Sequence, residues 1–109
     1  MCYYHPAMEM DHQAFRALGD PVRLRILRFL LGQEGASPGQ VCACDIINLL
    51  GLSQPTVSHH MRILAEAGLV SARKQGRWMF YAVESRRFAA LAAQLAAVAE
   101  AAGGYHDAA

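Results

Sequence analysis

The chain has 109 residues, a formal net charge of +1 and a hydrophobic fraction of 54%. That length predicts one domain with a modest core, and no apolar run is long enough to span a membrane. The opening Met1-Cys2-Tyr3-Tyr4-His5-Pro6 lacks a basic region and an apolar stretch, so no secretory signal is read and the expected compartment is the cytoplasm.

Residues 1–10 read as a flexible arm in which Pro6 discourages a helix. A short helix is predicted from Asp11 to Leu18, with Phe15 and Leu18 as its apolar positions and Gly19 as its stop. Asp20-Pro21 restarts a helix as N-cap and first residue. In it Val22, Leu24, Ile26, Leu27, Leu30 and Leu31 are expected to supply a broad buried stripe, while Arg23, Arg25 and Arg28 are expected in water and the end near Gly32. Gly35-Ala36-Ser37-Pro38-Gly39 is a turn-rich connection. It leads to a third helix, predicted over Val41–Leu50 and closed by Gly51.

Ser53 then opens a fourth helix as N-cap, with Pro55 in its first turn and Val57, Met61 and Leu64 on a core-facing side. The other side carries Gln54, Thr56, Ser58, His59 and Arg62, short donors and acceptors suited to base edges rather than a solubilising run of Lys and Glu. Only Gly51-Leu52-Ser53 separates the third helix from the fourth, the arrangement of a helix-turn-helix. After Ala67-Gly68, the stretches Leu69–Lys74 and Arg77–Val83 flank Gln75-Gly76 and alternate like the strands of a β-hairpin. Arg73, Lys74 and Arg77 cluster at its turn, where they could reach phosphates. Between Ser53 and Phe80 those three and Arg62 face a single acid, Glu66, so a nearly neutral chain carries a local positive surface. A last helix, Ser85–Ala102, places Phe88, Leu91, Leu95 and Val98 on one side among many alanines, which favours pairing with a second copy. Residues 103–109 read as a flexible tail. The whole is a mainly α (α+β) winged helix-turn-helix domain over residues 11–102, with about five helices and a two-stranded β-hairpin wing, forming a homodimer through its terminal helices. Two recognition helices would then meet two half-sites of double-stranded operator DNA. No nucleophile–base–acid set or phosphate loop is present, so no catalysis is expected.

Several of these segments together resemble ArsR/SmtB-type metal-sensing repressors. Leu18-Gly19-Asp20-Pro21-Val22-Arg23-Leu24-Arg25-Ile26-Leu27 is similar to the family's opening signature, and Val41-Cys42-Ala43-Cys44-Asp45-Ile46 to its metal-binding box. Ser53–His60, and Gly68-Leu69-Val70 with Arg73-Lys74-Gln75-Gly76-Arg77-Trp78 and Tyr81, resemble its recognition helix and wing. The likeness spans residues 11–90. It implies a homodimeric repressor that leaves its operator when an inducer binds.

Three cysteines, Cys2, Cys42 and Cys44, are too few for a disulfide framework and in a reducing compartment point to metal or redox chemistry. Paired thiolates suit thiophilic ions such as As(III), Sb(III), Cd(II), Pb(II) or Zn(II). In a regular helix residues two apart point about 200° away from each other. Cys42 must therefore lie at or before the first helical turn, or that turn must deform when an ion binds. The resemblance implies a third ligand. Arsenic-responsive relatives often carry a further cysteine where this chain has Ile47, whereas cadmium- and lead-sensing relatives complete the site from an N-terminal arm. Cys2 is thus the expected third ligand, with His5 available as a fourth. The family's second site, on the last helix, is expected to be missing, because only Glu84 and Glu100 lie near it and His106-Asp107 fall in the tail. Two other readings remain open: a thiol-based redox switch on the same fold, and a winged helix that binds only proteins.

Overall fold

The computed structural model describes residues 10–32 and 41–103. The arm with Cys2 and His5, the Gly35–Gly39 connection and the tail beyond Gly103 fall outside the described residues. Elements run in the order α1 (His12–Leu18), α2 (Pro21–Gly32), β1 (Val41–Cys42), α3 (Ala43–Leu50), α4 (Gln54–Glu66), β2 (Val70–Gln75), β3 (Trp78–Val83) and α5 (Ser85–Ala101).

Each early helix begins where a polar side chain can satisfy its free N–H groups. Asp11 Oδ1 accepts the Ala14 N–H at 3.1 Å, and Asp20 Oδ1 accepts those of Val22 at 2.8 Å and Arg23 at 3.2 Å. Ser53 Oγ accepts the Thr56 N–H at 3.3 Å and donates to Thr56 Oγ1 at 2.9 Å. Val57, Met61 and Leu64 of α4 are buried as their spacing predicts. At about 1.5–3 kcal/mol per buried side chain, these three hold α4 against the rest far more strongly than its cap does. Ile26, Leu27 and Leu30 of α2, Ile46 of α3, Leu69 and Val70 of β2, Tyr81 of β3 and Leu91 of α5 join them in one core.

The sheet is antiparallel and three-stranded, in the order β1-β3-β2. β2 and β3 form the predicted hairpin, in which Gln75 pairs with Trp78 across the two-residue turn Gly76-Arg77. Gly76 takes φ +63°, and no other kind of residue has positive φ among those described, as a type II′ turn requires. β1 was not expected. The stretch predicted as a helix from Val41 begins instead with two extended residues, Val41 opposite Tyr81 and Cys42 opposite Phe80. The reason is a pairing partner forty residues away, which local periodicity does not register, together with a β-branched Val41 that the sheet buries.

Two further expectations are corrected. Leu24 and Leu31 are 45% and 50% exposed, so the apolar stripe of α2 is narrower than its composition suggests. Arg23, placed in water by sequence, is only 11% exposed at its side chain. On α1 it is Ala14 and Ala17 that are fully buried, with Phe15 and Leu18 packed at the margin. On α5 Leu91 is buried and Phe88 partly so, whereas Leu95 and Val98 stand out at 53% and 40% exposure.

Arg87 of α5 ties distant parts together. Its Nη1 donates to Asp11 Oδ2 at 3.0 Å, and the Asp11 N–H donates to Gln94 Oε1 at 2.8 Å, so the start of α1 is fixed on α5. The same guanidinium lies over Gly68, which takes φ +77° at the end of α4. A Cβ there would come within 2.7 Å of Arg87 Nη2. Gly68→Ala is expected to lose about 1–3 kcal/mol, from left-handed backbone strain and displacement of Arg87, read as a lower urea midpoint with unchanged slope. Asp20 offers a separate check. Burial opposes its ionised form, but the N–H groups of Arg23 and Val22, then the charges of Arg23 and His60, outweigh it and hold the carboxyl below its ordinary value. Its stabilisation is thus complete above the unfolded-state value and lost as pH falls through the lowered one. Asp20→Ala should cost about 1 kcal/mol at neutral pH, and the difference from the parent chain should shrink on acidification below about pH 4.

Candidate nucleic-acid interface and thiol site

α3 and α4 pack together through the short Gly51-Leu52-Ser53 turn, and α4 also packs on α1, α2 and β2. With Val57, Met61 and Leu64 turned inward, helical geometry of 3.6 residues per turn places His59 and Arg62 on the outward face, with Thr56 and Ser58 on its two flanks and Gln54 in the first turn on the Met61 side. All five are exposed. Gln54 Nε2 donates to Ser58 Oγ at 2.8 Å, which holds both side chains on one ridge of the helix. The two adjacent histidines part company. His59 points outward, while half-buried His60 faces Arg23, whose Nη1 donates to His60 Nδ1 at 3.2 Å. A guanidinium cannot accept, so in the neutral ring that takes this bond the proton is on Nε2.

Arg23 is the residue whose role sequence reasoning missed. Its Nε donates to the Ala17 carbonyl at 2.6 Å and its Nη1 lies 3.8 Å from Asp20 Oδ2, so one side chain locks the α1–α2 corner and then braces α4. The spacing Asp20–Arg23 was a visible i,i+3 ion-pair signal. The bond to His60 was not, because it spans two elements.

Arg73, Lys74 and Arg77 are exposed on the wing. The ion pairs among the described residues are Arg23–Asp20 and Arg87–Asp11, so Arg62 and the three wing cations carry uncompensated charge. An α4 ridge of short polar groups flanked by a basic hairpin is suited to base edges and phosphates of a duplex.

The thiols lie at the other end of the helix pair. Cys42 is the N-cap of α3 with φ −74° and ψ 145°, and its Sγ accepts the Cys44 N–H at 3.3 Å. Because Cys42 is extended rather than helical, the divergence of i and i+2 helical positions does not apply to the pair, and the Cys42 sulfur lies over the first turn of α3 against the Cys44 N–H. Cys42 is buried and Cys44 exposed. Hydrogen bonding with Cys42 is the main reason that the Cys44 thiol is pushed above its ordinary pKa, with burial and the charges of Cys42 and Asp45 adding to it. Among the described residues no third His, Cys, Asp or Glu joins them in a group able to hold a metal ion. The two thiols fit a soft ion by donor type and would offer it two ligands; Cys2 and His5 lie outside the described residues.

The fold and this surface define a winged helix-turn-helix DNA-binding protein. The family described as bacterial regulatory protein, arsR family, matches residues 20–72. An uncharacterized HTH-type transcriptional regulator of Methanocaldococcus jannaschii is 48% identical over 72% of this chain and 83% of its own length. The arsenical resistance operon repressor of Escherichia coli is 41% identical over 63% of this chain, which covers only 55% of that protein. Among solved structures, an ArsR family transcriptional regulator superposes with a TM-score of 0.71 at 27% identity, over 92% of this chain and 94% of the other. The homodimeric winged helix-turn-helix domain of a Mycobacterium bovis protein gives 0.60 at 25% identity, over 87% and 84%. The chain belongs to the arsR family and is thus a DNA-binding transcriptional regulator and not an enzyme. No helix among the described residues is long and apolar enough to cross a membrane.

Two predictions follow from the geometry. His59→Ala should weaken duplex binding with little change in stability, whereas His60→Ala should lower the denaturation midpoint by stripping Arg23 of its acceptor, at a cost of about 1 kcal/mol. For the thiols, a raised pKa leaves less thiolate at any given pH below it. In a Cys2→Ser background, alkylation of Cys44 should reach half its maximal rate above the ordinary cysteine value. Adding Cys42→Ser should move that midpoint down, as read by peptide mass spectrometry across a pH series.

Proposed function

We propose that this chain is a homodimeric repressor that releases its operator when a thiophilic ion is held by Cys42 and Cys44, with Cys2 as third ligand and His5 available as a fourth. Residues 11–102 form the DNA-binding and dimerisation domain. Gln54, Thr56, Ser58 and His59 read base edges; Arg62 contacts phosphate from α4, and Arg73, Lys74 and Arg77 do so from the wing. The exposed Leu95 and Val98 of α5 support pairing through the terminal helices. The ion would be As(III), Sb(III), Cd(II), Pb(II) or Zn(II), each of which bonds soft thiolates.

The observation that carries this reading is the extended Cys42 at the head of α3. There the Cys42 sulfur caps the helix through the N–H of Cys44, the residue that carries the second thiol. Drawing Cys42 Sγ toward a centre shared with Cys44 competes with its hydrogen bond to the Cys44 N–H. It also strains the first turn of α3, the helix on which α4 is packed. A few kcal/mol of differential binding between the two arrangements suffices to change operator occupancy by orders of magnitude.

The test is a titration of arsenite, antimonite, Cd, Pb and Zn salts into the operator-bound protein under reducing conditions, followed by fluorescence anisotropy of labelled duplex. At least one ion should release the DNA, and Cys42→Ser and Cys44→Ser should each abolish release while retaining operator affinity. Release by peroxide or diamide alone would replace this reading with a redox switch. On the DNA side, Arg77→Ala should reduce the slope of log affinity against log salt by about one per protomer.

A further inference from the structure

Beyond the basic side chains, the wing carries one feature that phosphate contact does not explain. Trp78 is 52% exposed, although a tryptophan is among the most costly side chains to leave in water. It is the single tryptophan of the chain. Its position in the hairpin is defined by the register: Gln75↔Trp78 closes the ladder beside the Gly76-Arg77 turn. Cross-strand partners share a face, so Trp78 lies on the side of the sheet that also carries Arg73, Gln75 and Phe80. Tyr81, Met79 and Val70 belong to the opposite, core-facing side, where Tyr81 and Val70 are buried. Residues 70–83 include Arg73, Lys74 and Arg77 and no acid. The exposed ring is thus an apolar plate set among uncompensated cations, at the tip of an element that projects from the DNA-reading helix.

We propose that Trp78 is a DNA-docking residue, its ring packing on the sugar wall at the edge of a duplex groove while Arg73 and Arg77 hold the flanking phosphates. An apolar side chain among cations is the composition by which proteins insert into or lean against a groove edge, and the indole N–H remains free to donate to a phosphate oxygen. Charge complementarity selects a nucleic acid over an acid-poor protein surface as the occupant. The duplex form follows from the α4 face beside it. The inference rests on the operator-binding reading and adds to it a contact made by apolar burial rather than by charge.

The single tryptophan makes the test direct. Intrinsic emission and acrylamide quenching are followed while the reduced protein is titrated with operator duplex and, separately, with heparin. On saturation with the duplex, Trp78 emission should shift and its quenching constant fall by at least about twofold, whereas heparin, which offers charge without a groove, should protect it little. Trp78→Ala should weaken duplex binding roughly tenfold with an unchanged salt slope, and Trp78→Phe should recover most of that loss. Unchanged emission and quenching in a saturated duplex complex would overturn the role of Trp78 and leave operator binding intact. Equal protection by heparin, or a salt slope that falls with Trp78→Ala as it does with Arg77→Ala, would assign the residue to hairpin folding instead. No salt-dependent duplex binding at all would remove both the operator reading and this contact.

Discussion

Three bonded systems meet on the extended backbone of Cys42. Its main chain pairs with Phe80 at the edge of the sheet, its sulfur caps α3 through the Cys44 N–H, and its thiol raises the pKa of the Cys44 thiol. Had the helix begun two residues earlier, the thiols would point apart and the sheet would lack its third strand. The strand-to-helix change at one residue therefore creates the thiol pair and joins it to the wing on one side and the helix-turn-helix on the other. An ion that claims the sulfur would be felt through both connections.

The reading surface is held in place from behind. Val57, Met61 and Leu64 bury the inner face of α4, and Arg23 adds a directional bond to His60 from a side chain already anchored on Ala17 and Asp20. Hydrophobic contact alone would let a helix slide or rotate on its neighbours; a nearly buried guanidinium with fixed acceptors limits that freedom. The outward side chains are left with local bonds to each other, such as Gln54 to Ser58, that a base edge can replace. Rigidity behind and exchangeable bonds in front are what a recognition helix requires.

Much of this was legible in the residues. The caps Asp20 and Ser53, the glycine stops and the alternation around Gly76 are local signals, and each placed its element within a residue or two. The face of α4 was readable because burial at Val57, Met61 and Leu64 leaves only one side free. The site was legible in kind, as a cysteine pair and a cluster of cations, but not in geometry. Arg23 was misplaced in water because its acceptors lie on α1 and α4, and a helical pattern carries no information about neighbours. Leu24 and Leu31 were misassigned for the same reason, since an apolar residue on a helix is buried only where another element covers it.

The sequence by itself determined the order and type of nearly every element, the polar face of α4 and the presence of two thiols near the start of α3. Those properties depend on capping, periodicity and side-chain chemistry, which act within a few residues. Only the tertiary structure decided that Val41 and Cys42 are a strand. Their conformation is set by antiparallel pairing with β3, opposite Tyr81 and Phe80 some forty positions along the chain, and that long-range pairing keeps Cys42 out of the helix whose first turn its sulfur caps.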